Sequence, residues 1–171
     1  MLPRPCGVTA STTCAGRTVA NTFDVVILGG GRGGYACAFR AAELGMSVAL
    51  VEKDKVGGTC LHYGCIPTKA LLHAAEIADA ARESSQFGIS VSLDGIDMPG
   101  VNAYKDSVVS RLYKGLQGLV KARGVTLVQG EGRLVAPNAV DVAGTRYEGR
   151  HIVLATGSYA KSLPGLDIDR E

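Results

Sequence analysis

The sequence contains no tryptophan, and aromatic residues make up only 5% of its 171 positions. Bases of single-stranded nucleic acids stack on aromatic side chains, and their phosphates bind to clusters of lysine and arginine. The net charge of +2 is spread along the chain without a basic block. The composition therefore argues against a nucleic-acid partner.

Long apolar runs are also missing. The runs at residues 25–28 and 47–51 end at glycine and at Glu52, well short of the roughly 18 residues that a membrane-spanning helix needs. With 46% hydrophobic and 20% charged residues, the composition is that of a globular protein. We expect a soluble protein without a membrane segment.

Residues 1–22 contain no acidic residue, and they lack the continuous apolar stretch of a secretory signal. We expect this segment to be a disordered tail, followed by one domain over residues 23–171. A related hypothesis is that translation starts near Val19, immediately before the structured pattern begins.

Glycine, in contrast, is abundant: the 23 glycines fall in clusters, which indicates loops that approach a ligand closely. The first cluster, residues 29–34, follows a β-branched run at residues 23–28 that predicts a buried strand. An alanine-rich stretch at residues 35–44 predicts a helix, and residues 47–51 predict a second buried strand. This β-α-β unit would place a ligand at the carboxyl ends of its strands.

The glycine cluster has the G-x-G-x-x-G spacing at Gly29, Gly31 and Gly34, between the predicted strand and helix. Such glycines permit a tight turn, a close approach to a pyrophosphate and helix–strand packing. Glu52 lies about 20 residues further on, where a carboxylate binds an adenosine ribose with free hydroxyls. The unit therefore predicts a dinucleotide site.

The rest of the chain predicts further α/β structure. Helices are expected at residues 67–84 and 101–122, with a Tyr and Leu stripe as the core side of the second. The packing stripe of the first helix is expected to consist of Ala70, Leu71, Ala74, Ala75, Ala78 and Ala81. Strands are expected at residues 125–128 and 151–155, and residues 88–100 are a loop or edge strand. Short segments at 133–135, 139–142 and 145–147 predict a small antiparallel excursion. We expect a Rossmann-like fold with a parallel sheet.

Cys60 and Cys65 lie close enough in sequence to form a small disulfide loop at the start of the predicted helix. Helix N–H groups and Lys69, one turn further on, both favour the thiolate, the form that attacks disulfides. A zinc site is the weaker interpretation, because the spacing is not that of a metal pair and further ligands are scattered. A reactive thiol pair also favours a reducing, cytoplasmic location.

Residues 57–72 resemble the redox motif of the class I pyridine nucleotide-disulfide oxidoreductases, and the resemblance extends over residues 23–165. Within the family, the chain is most similar to the members that oxidise protein-bound dihydrolipoamide. The resemblance implies that the dinucleotide is FAD. It implies a cofactor site formed by Gly29, Gly31, Gly34, Glu52, Lys53, Gly58, Thr59, Lys69, Gly132, Thr156, Gly157 and Ser158.

By the same resemblance, Cys60 exchanges with the dithiol substrate and Cys65 faces the flavin ring. Electrons would pass from dihydrolipoyl groups through the disulfide and FAD to NAD, a role in cell redox homeostasis. The implied partners are the lipoyl domains of 2-oxo acid dehydrogenase complexes or of the glycine cleavage system, and a second subunit in a homodimer.

The chain is expected to be incomplete relative to the family, because no second G-x-G-x-x-G motif for NAD follows. Two alternatives stay open. One is a relative that reduces another disulfide or a mercuric ion. The other is a catalytically silent flavin-binding fragment.

Overall fold

A computed structural model describes residues 21–166 and 168. It contains one six-stranded sheet with the strand order β3-β2-β1-β6-β5-β4. The strands are β1 (Asn21–Leu28), β2 (Val48–Glu52), β3 (Thr126–Gln129), β4 (Gly132–Ala136), β5 (Ala139–Val142) and β6 (Thr145–Leu154). The helices are α1 (Arg32–Glu43), α2 (Gly58–His62), α3 (Cys65–Glu83), which a 3₁₀ turn (Ser84–Phe87) extends, and α4 (Met98–Ala122).

The centre of the sheet is parallel, since β1 pairs with β2 on one side and with β6 on the other, and β2 pairs with β3. Strands β4 and β5 add antiparallel pairing beyond β6. The α/β class, the parallel sheet and the antiparallel excursion are confirmed. The carboxyl ends of β1, β2 and β6 lie side by side, where a parallel sheet presents its ligand site.

The core lies on both faces of this sheet because successive residues of β1 point to opposite sides. Ile27 packs with Leu50, Ala38 of α1 and Leu116 of α4 on the helix-covered face. The other face holds a smaller cluster formed by Val26, Ala49, Val51, Val128, Val140 and Val142. The β-branched runs read from the sequence are thus the buried centre of the fold.

Strand β6 differs from the prediction, which treated residues 145–147 and 151–155 as separate segments. They form one strand that pairs antiparallel with β5 at its start and parallel with β1 along most of its length. Gly149 permits the close passage, because a Cβ at this position would lie 3.0 Å from Cγ2 of Val26. Gly149 therefore allows β6 to pair with β1.

Helix boundaries also shift. Helix α1 begins at Arg32 rather than at residue 35, so the last part of the glycine loop is its first turn. Helix α4 begins at Met98, with Pro99 in the first turn, where a missing N–H costs nothing. Helix α3 begins at Cys65, and the short helix α2 before it was not predicted. Residues 88–97 form neither helix nor strand.

The predicted packing stripes are only partly buried. Ala70 and Ala78 of α3 are buried, but Leu71 and Ala75 of the same predicted stripe are exposed. In α4, Leu116 and Val120 are buried, but Leu112 and Leu119 are 43% and 48% exposed, so the core side of this helix is shorter than predicted.

Within the described residues, no helix combines the length and apolar character needed to cross a bilayer. Of the tail expected at residues 1–22, positions 1–20 lie outside the described residues. The last two positions belong to β1, which begins at Asn21.

Candidate dinucleotide and dithiol site

The glycine loop connects β1 to α1 in the geometry that its spacing predicts. Gly29 has a φ of 107°, which only glycine adopts without strain, and its N–H donates to the carbonyl of Val51 at 2.8 Å. A side chain at Gly34 would overlap the carbonyl of Gly29, so this glycine allows α1 to pack on the strand end. Gly31 is different, because no protein atom lies within 4 Å of the place where its Cβ would be. The loop therefore leaves open space at Gly31 for a ligand.

The first turn of α1 adds positive electrostatic character to this open space. Gly31 is the residue that caps the helix, and its backbone is extended rather than helical. The N–H groups of a first helical turn have no partner within the helix, and they carry the positive end of its dipole. A phosphate next to Gly31 would meet these donors directly.

Glu52 lies at the end of β2 with its carboxylate held by two backbone N–H groups. Gly30 N donates to Oε2 at 2.7 Å, and Asp54 N donates to Oε1 at 2.9 Å. Each carboxylate oxygen keeps a lone pair for a further donor such as a ribose hydroxyl. The side chain is thus fixed at the rim of the glycine loop by the loop itself.

These residues line one cleft of about 410 Å³ at the carboxyl ends of β1, β2 and β6. Its lining includes most of the cofactor residues that the sequence predicts: Gly29, Gly31, Glu52, Lys53, Gly58, Thr59, Gly132, Thr156, Gly157 and Ser158. Gly34 lies behind the loop as a packing residue, and Lys69 does not line the cleft. The structure therefore brings together four segments of the chain: residues 29–31, 52–59, 132 and 156–158.

The thiol pair is attached to this cleft by backbone contacts. Gly57, with a φ of 116°, donates its N–H to the carbonyl of Gly30 at 2.9 Å. A Cβ at Gly58 would lie 2.8 Å from the Cα of Gly31, so the two glycine segments touch. Helix α2 starts at this contact and carries Cys60, which directly follows Thr59 in the lining of the cleft.

The two cysteines lie on consecutive helices, with Cys60 in α2 and Cys65 as the first residue of α3. Both are free thiols, and a hydrogen bond from Cys60 to Cys65 shifts the pKa of each. The two side chains are therefore near neighbours.

The two thiols differ in pKa. The hydrogen bond from Cys60 is the main reason that the pKa of Cys65 is lowered from its ordinary value of 9.0, against an opposing effect of partial burial. The N–H of Cys65 and the charges of Lys69 and Arg32 lower this pKa further. The same hydrogen bond raises the pKa of Cys60. The expected lowering thus applies to Cys65 alone, and Cys60 retains the proton of the reduced pair.

Arg32 was missed by sequence reasoning. It is the first residue of α1, inside the glycine pattern, and its charge favours the thiolate of both cysteines. In the sequence, Arg32 is visible only as a cation at a variable position of the G-x-G-x-x-G motif. The spacing of the motif does not show that this position lies near Cys60. Among residues 21–166 and 168, no three His, Cys, Asp or Glu side chains come together as metal ligands would.

The α/β fold, the glycine-loop cleft and the adjoining pair of thiols define the class of this protein as an α/β protein that carries two free thiols beside a glycine-rich loop. Residues 23–170 match the family model described as pyridine nucleotide-disulphide oxidoreductase. The chain belongs to this family of oxidoreductases.

Several curated proteins are similar to the chain. It is 46% identical over 155 residues to dihydrolipoyl dehydrogenase 1, mitochondrial, of Arabidopsis thaliana. The matched residues are 86% of this chain and 31% of that protein. It is 43% identical over 164 residues to dihydrolipoyl dehydrogenase of Bacillus subtilis, covering 88% of this chain and 35% of the relative. A leghemoglobin reductase of Vigna unguiculata is 45% identical over 155 residues, which are 86% of this chain and 30% of that protein. The chain thus spans about a third of the length of these relatives.

Proposed function

We propose that the chain is the FAD-binding part of a dihydrolipoyl dehydrogenase, in which Cys60 and Cys65 exchange electrons between a dihydrolipoyl dithiol and FAD. The observation that carries this proposal is the contact of Gly58 with Gly31, which joins the thiol-bearing helices to the dinucleotide cleft. The names of several of the similar proteins support the choice of substrate.

The residues of the cleft fit FAD in three respects. Open space at Gly31 and the first turn of α1 suit a pyrophosphate, and the fixed carboxylate of Glu52 suits the adenosine ribose. The backbone at Gly132 and the Thr156, Gly157 and Ser158 turn form the remaining wall. Lys69 lies outside the cleft, but its charge acts on Cys65 and would act likewise on a flavin ring next to that thiol. When bound, FAD supplies the two-electron acceptor for the dithiol.

The chemistry of the cysteines follows from their difference in pKa. In the disulfide form, a thiolate of the substrate attacks Sγ of Cys60, which forms a mixed disulfide and releases Cys65 as a thiolate. The second substrate thiol then attacks the substrate sulfur that is bonded to Cys60. The substrate leaves as a disulfide, and Cys60 takes up the proton and is released as a thiol. Cys65 is the better leaving group because its pKa is the lower of the two.

NAD as the final acceptor, lipoyl domains as partners and a homodimer are further parts of the proposal. They rest on the names of the relatives rather than on contacts in this chain. A cytoplasmic location is proposed because Cys37, Cys60 and Cys65 are all free thiols, which suits a reducing compartment.

A visible absorption spectrum tests the proposal. The purified chain is mixed with FAD, separated from free flavin by gel filtration and treated with dihydrolipoamide without oxygen. We expect a flavin band that travels with the protein and bleaches on addition of the dithiol. A chain that retains no flavin would contradict the proposal, and flavin that dithionite but not dihydrolipoamide bleaches would identify a silent binding module.

A further inference from the structure

Helix α2 lies between two cavities. Gly58 and Thr59 line the dinucleotide cleft, and Cys60 lines a second cavity of about 540 Å³ together with Arg32 of α1 and Arg111 of α4. The position of this one helix therefore decides where Cys60 lies relative to the cleft.

Helix α2 is too short to fix its own position. It has five residues, Gly58–His62, and no side chain caps its N-terminus. A helix of this length is not stable alone in water. Two consecutive glycines with positive φ, Gly57 and Gly58, also form its start, and glycine leaves the backbone more freedom than any other residue. Contacts with other parts of the chain are therefore needed to hold α2 in place.

His62, the last residue of α2, makes two such contacts. Its Nε2 atom lies 3.0 Å from the carbonyl oxygen of Val56, and because a carbonyl only accepts, Nε2 carries the proton and donates it. The imidazole also meets the ring of Tyr113 of α4 edge to face, with centroids 4.9 Å apart and an angle of 77° between the planes. Val56 is buried in the core, and Tyr113 packs against the same core cluster. Both partners of His62 are therefore firmly placed.

The hydrogen bond joins the two ends of residues 56–62. This segment contains the glycine that touches the loop at Gly31, and it contains Cys60. Leu61, which is buried, packs so closely on Gly57 that a side chain at Gly57 would overlap it. The segment is thus held by one apolar contact and one polar contact, and His62 provides the polar one.

We propose that His62 is a positioning residue for the thiol pair: its bond to Val56 and its contact with Tyr113 hold Cys60 in place relative to Cys65. This inference rests on the proposed function and deepens it, because it assigns the residue that keeps the pair in its reactive arrangement. The imidazole acts through α2 and takes no part in bond formation.

The equilibrium of the thiol pair with glutathione tests this role. His62 also lines the dinucleotide cleft, so the measurement is made without flavin. The reduced pair and glutathione disulfide give the Cys60–Cys65 disulfide and two molecules of glutathione. The pair loses two electrons and two protons, and glutathione disulfide gains them. The equilibrium constant reports how effectively the protein holds one sulfur near the other.

Variants of His62 separate its two contacts, in a chain with Cys6 and Cys14 replaced by serine and Cys37 by alanine. His62→Leu loses both contacts, and we expect the constant for disulfide formation to fall by roughly three- to tenfold, the range for one net hydrogen bond. His62→Gln keeps an N–H donor and should restore most of the parent value. His62→Phe keeps only the ring and should lie between them.

Two control variants distinguish position from stability. His73→Leu removes an exposed histidine of α3 that pairs with Glu76, and it should leave the equilibrium constant unchanged. Val128→Ala removes core packing on the other face of the sheet, so it should lower Tm without changing the constant. A constant that falls with Tm in every variant, including Val128→Ala, would make His62 a general stabiliser and overturn the inference.

Equal constants in the parent, His62→Leu and His62→Gln proteins would also overturn the inference, as would a higher constant in His62→Leu. If His62→Leu does not fold at the assay temperature, His62→Phe against His62→Gln makes the same comparison. Failure to retain FAD, or bound FAD that dihydrolipoamide does not bleach, would instead overturn the proposed function. The glutathione equilibrium needs neither, so the two claims fail separately.

Discussion

At the scale of single residues, the site depends on one hydrogen bond between sulfurs. Cys60 donates to Cys65, and this bond moves the pKa values of the two thiols in opposite directions. Because coupled thiols titrate as a pair, the first proton lost from the dithiol belongs to the pair, with the negative charge residing mainly on Cys65. The helix N-terminus and Lys69 assist, but they are not the largest influence.

Cys60→Ala should raise the pKa of Cys65, because it removes the largest cause of its lowering. A depressed thiol pKa means that the thiolate forms at lower pH, so alkylation of Cys65 by iodoacetamide in the parent should increase through a midpoint below 9.0. In Cys60→Ala, the midpoint of this profile should move to higher pH. Both proteins need Cys6, Cys14 and Cys37 replaced.

Two further variants calibrate that shift. Lys69→Gln should raise the midpoint less than Cys60→Ala, since the Lys69 charge ranks below the sulfur hydrogen bond. Lys114→Gln, on the exposed side of α4, should leave the midpoint in place. A Cys60→Ala profile that matches the parent would show that the hydrogen bond does not set the thiolate.

Glu52→Gln should weaken FAD binding by roughly ten- to a hundredfold, the range for losing a hydrogen bond to a charged group. The amide cannot accept from both Gly30 and Asp54, because one of its ends is a donor. Quenching of flavin fluorescence during titration with protein measures the affinity. Glu76→Gln, on the exposed surface of α3, should bind FAD as the parent does, and equal affinities for the two variants would remove Glu52 from the site.

At the scale of elements, the glycine loop, α1 and β2 form one unit. Its glycines have different roles, because one leaves space for a ligand and another allows α1 to pack on β1. Gly31→Ala should fold normally, because its φ of −68° suits alanine and no protein atom is nearby, but the methyl group should obstruct the pyrophosphate. Gly34→Ala should instead destabilise the fold by roughly 1–3 kcal/mol through overlap with the Gly29 carbonyl.

Thermal unfolding and FAD titration of the same proteins distinguish these duties. We expect Gly31→Ala to keep the parent Tm and lose FAD affinity, and Gly34→Ala to lose Tm. Gly33→Ala should change neither, because its Cβ position is open, it does not line the cleft, and alanine keeps the backbone N–H. Normal FAD affinity in Gly31→Ala would contradict the placement of the pyrophosphate.

The elements also show what the sequence could and could not predict. Buried β-branched runs predicted β1 and β2 to within two residues at each end, because strands covered on both faces must be apolar throughout. The continuity of β6 through Gly149 was missed, since it depends on how closely β1 approaches. Helix α2 was missed because its five residues are too short for a helical period.

The same distinction applies to the site. The glycine spacing and the cysteine pair can each be recognised from a short stretch of sequence. The contact of Gly58 with Gly31, in contrast, follows from the fold. Arg32 and Arg111 lie on helices α1 and α4, and only tertiary packing brings them to Cys60. The direction of the Cys60 pKa was also beyond the sequence, because it depends on which thiol donates to the other.

At the scale of the whole molecule, the sheet places two cavities on either side of one short helix. The cleft at the strand ends suits a dinucleotide, and α2 with Cys60 lies between this cleft and the second cavity. In the proposed function, electrons would pass from the dithiol substrate to FAD through the cysteine pair. The family assignment to pyridine nucleotide-disulphide oxidoreductases agrees with it.

The most direct test of this electron path is the anaerobic bleaching of protein-bound FAD by dihydrolipoamide, compared in the parent, Cys60→Ala and Cys65→Ala proteins. All three should bind FAD, because neither cysteine lines the dinucleotide cleft. We expect rapid bleaching in the parent and bleaching no faster than that of free FAD in both variants. Equal bleaching rates in the parent and the two variants would show that electrons bypass the cysteines and would contradict the account.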